Sequence, residues 1–169
     1  MPKRKVLICG STGFIGKNLA EKLSRRSDLD VYGVHFRRPG LDFDGLTPVY
    51  GDLTDAETVD RIVCGMDVII QAAASTSGSR DIVERPYIHV TDNAVMNSFL
   101  LQSAYKHSVE QFVFFSCSVM YQSSQEPVKE NDFNESVELH PNYYGVGWTK
   151  VYLEKMCKFY SGLGRTRHT

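Results

Sequence analysis

The stretch Val6-Leu-Ile-Cys-Gly10-Ser-Thr-Gly13-Phe-Ile-Gly16 decides the fold. Its first four residues form a short apolar run, which is typical of a buried strand, and the run leads straight into a cluster of glycines. After the cluster, apolar residues recur at helical spacing at Ile15, Leu19 and Leu23, until the polar segment 24–28 begins. The pattern predicts a strand, a tight turn and a helix in direct succession.

This order of elements makes the three glycines informative about a ligand. Gly10 permits a sharp turn, Gly13 allows a phosphate to approach the backbone, and Gly16 allows the helix to pack close to the strand. The helix N-terminus adds amide donors and a favourable dipole for an anion. We expect a dinucleotide to bind here, and the alternative is a glycine-rich turn without a ligand. The residues predicted to contact it are Gly10, Thr12, Gly13, Phe14, Ile15 and Gly16.

The rest of the chain continues the alternation of strands and helices. Short apolar strands are predicted at 31–36, 48–50, 67–71 and 111–115. Helices are predicted over 54–64 and 91–104, and from 142 onward. The first of these opens on a capping-box spacing from Thr54 to Glu57, and the last lies between Pro141 and a C-capping Gly162. Such alternation indicates a doubly wound α/β fold with a parallel sheet, and we expect residues 1–169 to form one Rossmann-like domain.

The composition is that of an ordinary globular domain. Of the 169 residues, 42% are apolar, and 19 basic residues nearly balance 20 acidic ones, which argues against disorder and against a nucleic-acid-binding surface. No apolar run reaches the roughly 18 to 20 residues that cross a bilayer, so we expect no membrane association and a cytoplasmic location. The four cysteines share no ligand spacing with histidine, so we expect reduced thiols and no metal site.

Several features together resemble a known family. They are the spacing Gly10-x-x-Gly13-x-x-Gly16, Gly51-Asp52-Leu53 after the third strand, Asp67-Val-Ile-Ile-Gln-Ala-Ala-Ala74 at the fourth, Asn93 in the following helix, and a serine-rich strand end leading to Tyr121. In these features the chain resembles the extended short-chain dehydrogenase/reductase family of NAD-dependent epimerases and dehydratases, whose members include nucleotide-sugar reductases such as GDP-fucose synthase. The resemblance covers most of this chain and corresponds to the N-terminal half of such proteins.

The resemblance implies further contacts to the cofactor. Asp52 and Leu53 would face the adenine, and Ala72-Ala73-Ala74 would pass beneath the cofactor, with Asn93 as a further binding residue. Structural roles are the alternatives, because an aspartate at a turn often caps it and small residues are often required where a helix packs close.

The end of the second strand bears on the choice of cofactor. A site for NAD places an acidic residue there to accept hydrogen bonds from the ribose hydroxyls, whereas this chain has His35-Phe36-Arg37-Arg38. Guanidinium groups suit a 2′-phosphate, so NADP is favoured and NAD is the alternative. The other interpretation of Arg37 and Arg38 is a solvated pair beside a Pro-Gly turn.

The resemblance also implies a catalytic tyrosine at a spacing that this sequence does not contain. In the family a Tyr exchanges a proton with a sugar hydroxyl, and a Lys four residues later lowers the pKa of the phenol and holds the nicotinamide ribose. Lys150 matches that lysine, but Val146 stands four residues before it, and the candidate phenols Tyr144 and Tyr143 stand six and seven before it. A late helix start or a bulge near 145–148 would bring Tyr144 into the proton-transfer position. The alternative for Tyr144 is packing.

The hydroxyl donor that accompanies this pair is ambiguous as well. Counted back four residues from Tyr121, the position falls on Cys117, whose thiol is a poor hydrogen-bond donor. Ser116 and Ser118 flank it and are the remaining candidates for the donor. A buried, inert thiol is the simplest interpretation of Cys117.

The same resemblance predicts the function and the extent of the protein. Family members continue past the lysine helix into a sixth strand and a nucleotide-sugar pocket, so we expect a fragment that ends before that strand and is inactive alone. The expected function of the longer protein is NAD(P)-dependent epimerisation, dehydration or reduction of a nucleotide sugar by transient hydride transfer. The alternative is a non-catalytic dinucleotide-binding sensor or scaffold. An open sheet edge and an uncovered apolar helix face predict that the chain self-associates into a homo-oligomer or is only marginally stable.

Overall fold

Parallel strands alternate with helices in the computed structural model, which describes residues 2–76 and 79–169. The strands are β1 (Arg4–Cys9), β2 (Leu29–His35), β3 (Leu46–Tyr50), β4 (Val68–Gln71), β5 (Gln111–Phe114) and β6 (Arg167–His168). The α-helices are α1 (Phe14–Ser24), α2 (Ala56–Val63), α3 (Ser79–Glu84), α4 (Thr91–Lys106) and α5 (Tyr144–Leu163). Short 3₁₀ turns lie at Pro86–His89, Ser118–Met120, Glu130–Asp132 and Pro141–Tyr143.

The order of the strands creates a crevice at one edge of the sheet. The strands lie in the order β3-β2-β1-β4-β5-β6, and every neighbouring pair is parallel. The chain therefore moves outward from β1 to β3, returns to β4 beside β1, and moves outward again in the other direction. Ligands of such sheets bind at the carboxyl ends of the strands where the order reverses, and the glycine-rich turn after β1 lies at that point. The predicted doubly wound α/β fold is confirmed.

Alternation along β1 explains why its sequence is apolar throughout. Leu7 and Cys9 belong to a core cluster with residues of α2 and α4, whereas Val6 and Ile8 belong to a second cluster with Ala20 of α1. Successive side chains of a strand point to opposite faces, so a sheet covered by helices on both sides requires apolar residues at every position. This central strand holds the glycine turn on a rigid support.

Two predicted helix boundaries are corrected by one or two residues. The N-cap of α2 is Asp55, whose carboxylate accepts a hydrogen bond from the Thr58 amide at 2.9 Å, whereas Thr54 is used in the preceding turn. Asp is as good an N-cap as Thr, so the spacing alone did not distinguish them. Helix α5 continues through Gly162, and its C-cap is Gly164. A single glycine costs a helix only about 1 kcal/mol, which is too little to end it.

The segment after β4 contains helical structure for which the sequence analysis predicted no element. Helix α3 has six residues, and its ion pairs join side chains four apart, Arg80 to Glu84 and Arg85 to Asp81. A helix this short shows too few turns for an apolar repeat to be recognised. The 3₁₀ turn Pro86–His89 follows it directly and leads into α4.

The end of the chain forms part of the sheet. Arg167 pairs with Gln111 and His168 pairs with Phe112, so a two-residue β6 lies parallel to β5. The sequence analysis placed the end of the chain before this strand, and the structure corrects that boundary. Within the described residues, no helix combines the length and the apolar character needed to cross a membrane.

Candidate dinucleotide site

Two positions of the turn after β1 accommodate only glycine. Gly10 has a φ of +74°, and a Cβ built there would lie 2.6 Å from the Cα of Ala73. A Cβ at Gly16 would overlap the carbonyl oxygen of Gly10. Gly10 is therefore required by its left-handed backbone and by its contact with the segment after β4, and Gly16 by the close approach of α1 to the turn.

Gly13 differs from the other two glycines because the space beside it is open. A Cβ there would meet, among the described residues, only the carbonyl oxygen of Gly10, at 3.3 Å. Gly13 is the N-cap of α1, and no described side chain caps this helix or places a carboxylate in its first turn. The first amides of an α-helix lack partners within the helix, so they remain available to an anion. The turn therefore fits the phosphates of a dinucleotide.

The side chains around this cradle are exposed. Phe14 is 88% exposed and Ile15 is 44% exposed, although both belong to the first turn of α1. Ser11 fixes the turn to β2, since its amide and its hydroxyl both donate to the Val34 carbonyl, at 3.0 and 2.9 Å. The cradle is thus anchored to β2 through Ser11, while the side that carries Phe14 and Ile15 is open to solvent.

The basic residues after β2 lie beside the glycine turn. Nη1 of Arg38 donates to the backbone carbonyl of Thr12 at 3.3 Å. The guanidinium of Arg37 lies 5.9 Å from the centre of the Phe36 ring, and all three side chains from Phe36 to Arg38 are exposed. The fold therefore brings Arg38, one of the two predicted 2′-phosphate residues, next to the predicted phosphate cradle.

After β3, Asp52 makes the turn contacts that the sequence analysis considered as its alternative role. Oδ1 of Asp52 accepts from the amide and the hydroxyl of Thr54, at 2.9 and 2.7 Å, which closes the turn before α2. Leu53 is buried in the core. Next to this turn, Tyr50 packs edge-on against His35, with ring centres 5.9 Å apart.

The segment after β4 forms the floor beside the glycine turn. The amide of Ala72 donates to the carbonyl of Cys9 at 3.1 Å, and Ala73 contacts Gly10 directly. Asn93 of α4 holds the same segment from below, because its Oδ1 accepts from the Ser75 amide at 2.9 Å and its Nδ2 donates to the Ser75 carbonyl at 3.0 Å. Ala74 is exposed in this segment. Ala72 and Ala73 therefore lie directly against the end of β1 and the glycine turn.

Sequence reasoning missed two buried polar residues in this region, Gln71 and Asn97. Gln71 is the last residue of β4, and its Nε2 donates to Oδ1 of Asn97 at 3.0 Å. A polar residue at the end of the apolar run Val-Ile-Ile was a visible signal. The second signal was the spacing of four between Asn93 and Asn97, which places both amides on one face of α4.

Lys150 lies at the end of the neighbouring strand β5. Its Nζ donates to the carbonyl of Phe115 at 2.8 Å and lies 4.5 Å from the centre of the Phe114 ring. Burial lowers the pKa of Lys150 from its usual value, while the nearby Cys117 and Glu154 oppose that change. The structure thus fixes one cation at the carboxyl ends of the strands, two strands away from the glycine turn.

Helix α5 contains no bulge that would bring a tyrosine to Lys150. It runs as regular α-helix through all its described residues from Tyr144 onward, so Val146 lies one turn before Lys150. Tyr144 is half exposed and its ring lies 6.3 Å from that of Trp148, whereas Tyr143 packs 5.6 Å from the ring of His140. The irregularity that the sequence analysis considered is therefore not present.

A packing requirement explains the glycine at 147. Gly147 is buried, and a Cβ there would lie 2.9 Å from the carbonyl oxygen of Val119 and would overlap the Leu139 side chain. The glycine thus allows α5 to approach the 3₁₀ turn after β5, so it serves close packing and not a distortion of the helix.

The hydroxyls beside Cys117 are exposed and do not contact Lys150 in the described structure. Oγ of Ser116 donates to Sδ of Met120 at 3.3 Å, and Ser118 begins the 3₁₀ turn that follows. Cys117 itself is partly buried, and burial raises the pKa of its thiol. The thiol therefore stays protonated near neutral pH, as expected of an unreactive cysteine.

The profile of the NAD dependent epimerase/dehydratase family matches residues 6–168. The chain belongs to this family. Among its curated relatives is the uncharacterized UDP-glucose epimerase YtcB of Bacillus subtilis, which is 30% identical over 92% of this chain and 51% of the relative. A dTDP-glucose 4,6-dehydratase of Streptomyces niveus is 28% identical over 82% of this chain and 44% of the relative. The chain thus spans about half the length of the curated relatives that it matches.

Solved structures share the fold over nearly the whole chain. MoeE5, in complex with UDP-glucose and NAD, gives a TM-score of 0.79 at 24% identity and covers 97% of this chain and 52% of its own. WbmH of Bordetella bronchiseptica, in complex with NAD⁺, gives 0.71 at 26% identity and covers 94% and 53%. MlghC of Campylobacter jejuni, a GDP-mannoheptose C4 reductase with NADP bound, gives 0.77 at 20% identity and covers 98% and 49%.

In this member of the epimerase/dehydratase family, the residues at the carboxyl ends of the strands are arranged to bind anions. Their arrangement for proton transfer is less complete. The open amides of α1 and the cation of Lys150 are arranged along the same edge of the sheet. At the position where a helix would present a phenol to Lys150, the side chain is that of Val146. Among the described residues, no group of three or more His, Cys, Asp or Glu side chains is placed to hold a metal ion.

Proposed function

We propose that this chain is the dinucleotide-binding part of a longer enzyme that converts a nucleotide sugar by transient hydride transfer, with NADP preferred over NAD. The observation that carries the proposal is the open backbone cradle at Gly13, bordered by Arg37 and Arg38. Relatives named as UDP-glucose epimerases and dTDP-glucose dehydratases support the nucleotide sugar as the class of substrate.

Each part of the cofactor has a matching set of residues in the proposal. The amides at the start of α1 bind the diphosphate, Arg37 and Arg38 bind the 2′-phosphate, and Lys150 binds the nicotinamide ribose. Asp52 and Leu53 border the adenine, and 72–74 form the floor supported by Asn93. The bound nicotinamide would supply the hydride acceptor and donor.

Tyr144 and Tyr143 are the proposed acid and base, with Ser116 or Ser118 as hydroxyl donors. Both tyrosines lie at the N-terminus of α5, six and seven residues before Lys150. Tyr144 is half exposed and therefore accessible to a substrate.

A Gly13→Val variant tests the binding proposal without disturbing the fold. Its new side chain would project into the open space of the cradle, so we expect NADPH affinity in a calorimetric titration to fall by more than about tenfold, since charge-assisted hydrogen bonds to the phosphate are lost. The melting temperature should fall by only about a few degrees, because the position has an ordinary φ and the Gly10 carbonyl oxygen, 3.3 Å from the new Cβ, has to yield only slightly. Gly162→Ala, at a second open glycine far along α5, serves as the control and should leave affinity unchanged.

A second candidate function is dinucleotide binding without catalysis, and one observation favours it. Regular helix through residues 144–150 places Val146, not a tyrosine, one turn before Lys150. A sensor or scaffold would need the cradle and Lys150 but no phenol. In the longer protein, Lys150→Ala should abolish cofactor-linked turnover if the first candidate is right, whereas a protein that binds NADPH but shows no turnover with any nucleotide sugar would favour the second.

A further inference from the structure

The side chain of Gln71 forms hydrogen bonds to the backbone of a neighbouring residue of the floor, Ala73. Gln71 is only 2% exposed, and its Oε1 accepts from the amide of Ala73 at 3.2 Å. Its Nε2 donates to the carbonyl of Ala73, also at 3.2 Å, and to Oδ1 of Asn97 at 3.0 Å. Both backbone polar groups of Ala73 are therefore held by one buried amide.

Asn97 connects this amide to helix α4. It is 2% exposed, and its Nδ2 donates to the carbonyl of Asn93 at 2.7 Å. Asn93 in turn holds the amide and the carbonyl of Ser75. Two alternate residues of the floor, Ala73 and Ser75, are thus fixed to the same helix by side-chain amides.

The position of Ala73 limits the position of the glycine turn. The hypothetical Cβ of Gly10 would lie 2.6 Å from Cα and 2.7 Å from the amide nitrogen of Ala73, so the two backbones are in direct contact. A shift of Ala73 towards Gly10 would push the turn out of its place, and a shift away would remove its support. The network from Asn97 through Gln71 to Ala73 therefore ends at the cradle.

We propose that Gln71 and Asn97 are positioning residues for the dinucleotide, although neither lies at the cradle itself. They fix the floor at Ala73, and the floor fixes Gly10, so the amides of α1 keep the arrangement that binds the diphosphate. The inference rests on the proposed dinucleotide binding. A buried amide that served packing alone would gain nothing over an apolar side chain, because its polar atoms must find partners in the interior.

Titration with NADPH of Gln71→Leu, Asn97→Leu and the double variant tests this inference. Loss of all three Gln71 hydrogen bonds should weaken binding about tenfold, and loss of Asn97 alone about threefold, since each buried hydrogen bond contributes modestly. The double variant should match Gln71→Leu within about twofold, because the two residues act through one shared bond. All titrations are made well below the melting temperature, so that the folded protein is measured.

Ser103→Ala is the matched control. Ser103 is buried on the same helix as Asn97, but its hydroxyl donates to Asp60 of α2, away from the floor. It should lower the melting temperature while leaving the NADPH dissociation constant unchanged. If Gln71→Leu does not fold, Asn97→Leu, which removes the bond that holds Gln71 to α4 and leaves both bonds from Gln71 to Ala73 in place, tests the same network, and unchanged NADPH affinity in it would overturn the inference.

The outcomes separate this inference from the proposed function. If the unchanged chain binds neither NADPH nor NADH, the proposed function fails, and hydrogen exchange of the Ala73 and Gly13 amides tests the positioning directly; faster exchange at both in Gln71→Leu supports it. If the unchanged chain binds NADPH and both single variants bind it equally well, the positioning role is wrong. If the losses of NADPH affinity in the two single variants add up in the double variant, the proposal that both residues act through their shared hydrogen bond is also wrong.

Discussion

The glycine turn (residues 10–16) and the lysine end of the sheet (114–121 with Lys150) differ in what they depend on, which is backbone in the first and side chains in the second. The glycine turn is built from backbone: the positive φ of Gly10, the open amides and the contact with Ala73 depend on the absence of side chains. The lysine end depends on particular side chains at particular spacings. One of these, Lys150, is present and firmly held, whereas its expected phenol partner is replaced by Val146.

The difference teaches that binding and chemistry are separable in this chain. A cradle made of amides requires only that the turn keeps its shape, and many surrounding sequences allow that. Proton transfer requires a phenol within hydrogen-bond reach of its partner, and a displacement of two residues on a helix moves it to another face. The following predictions would break or sharpen this comparison.

The largest effect is expected from removing the phenols at the lysine end. In the longer protein, Tyr144→Phe or Tyr143→Phe should lower turnover by about 10² to 10⁴-fold, the usual contribution of a general acid or base, while NADPH affinity stays the same. Steady-state kinetics with a nucleotide sugar, together with a binding titration, measures both. Restoration of turnover by Val146→Tyr in the impaired variant would show that a phenol at position 146, one helical turn before Lys150, can carry out the proton transfer. Full activity in both Phe variants would remove these tyrosines from the mechanism.

A smaller effect, on stability, is expected at the glycine turn. Gly10→Ala forces a side chain into a left-handed backbone and against Ala73, so the free energy of unfolding should fall by about 3 kcal/mol. Chemical denaturation measures the change. Gly162→Ala, in a helix and with nothing within 4 Å, should instead stabilise the chain by about 0.5 to 1 kcal/mol. Equal responses of the two variants would contradict the backbone account of the turn.

The pH dependence of binding should report on Lys150. Burial lowers the pKa of this lysine, so on raising the pH its charge is lost earlier than that of an exposed lysine. NADPH affinity should therefore decline by up to about tenfold as the pH rises through that lowered pKa, because a charge-assisted contact is lost. Titrations at increasing pH measure it. Lys150→Arg, which stays charged, should flatten the profile, and an identical decline in that variant would point to another group.

The contrast between the two regions also explains what the sequence could predict. The glycine turn, the first five strands and the doubly wound class follow from local patterns: the apolar run before Gly10 and the helical repeat after it are properties of adjacent residues. The absence of a tyrosine four residues before Lys150 was equally visible. The sequence did not show whether the helix would bulge there, because the close packing of Gly147 against Val119 and Leu139 joins segments that are distant in the chain.

Long-range polar contacts were the other limit. Gln71 and Asn97 are 26 residues apart, and only the packing of α4 against the sheet brings their amides together. Asp52 presented a different difficulty, because its position was visible in the sequence but its role was not. A turn cap and an adenine contact would both require an aspartate at this place. Its bonds to Thr54 show the cap directly. Short α3 has no apolar repeat, and its ion pairs could form equally on other short segments.

Fluorescence titration of the purified chain with NADPH and, in parallel, with NADH tests the central claim most directly. The account predicts tighter binding of NADPH than of NADH, and a loss of about tenfold for NADPH alone in Arg37→Ala, because the guanidinium would contact the 2′-phosphate that NADH lacks. That result would establish that the glycine turn and the basic end of β2 form a working site within these residues. Binding of neither dinucleotide at millimolar concentration would contradict the claim.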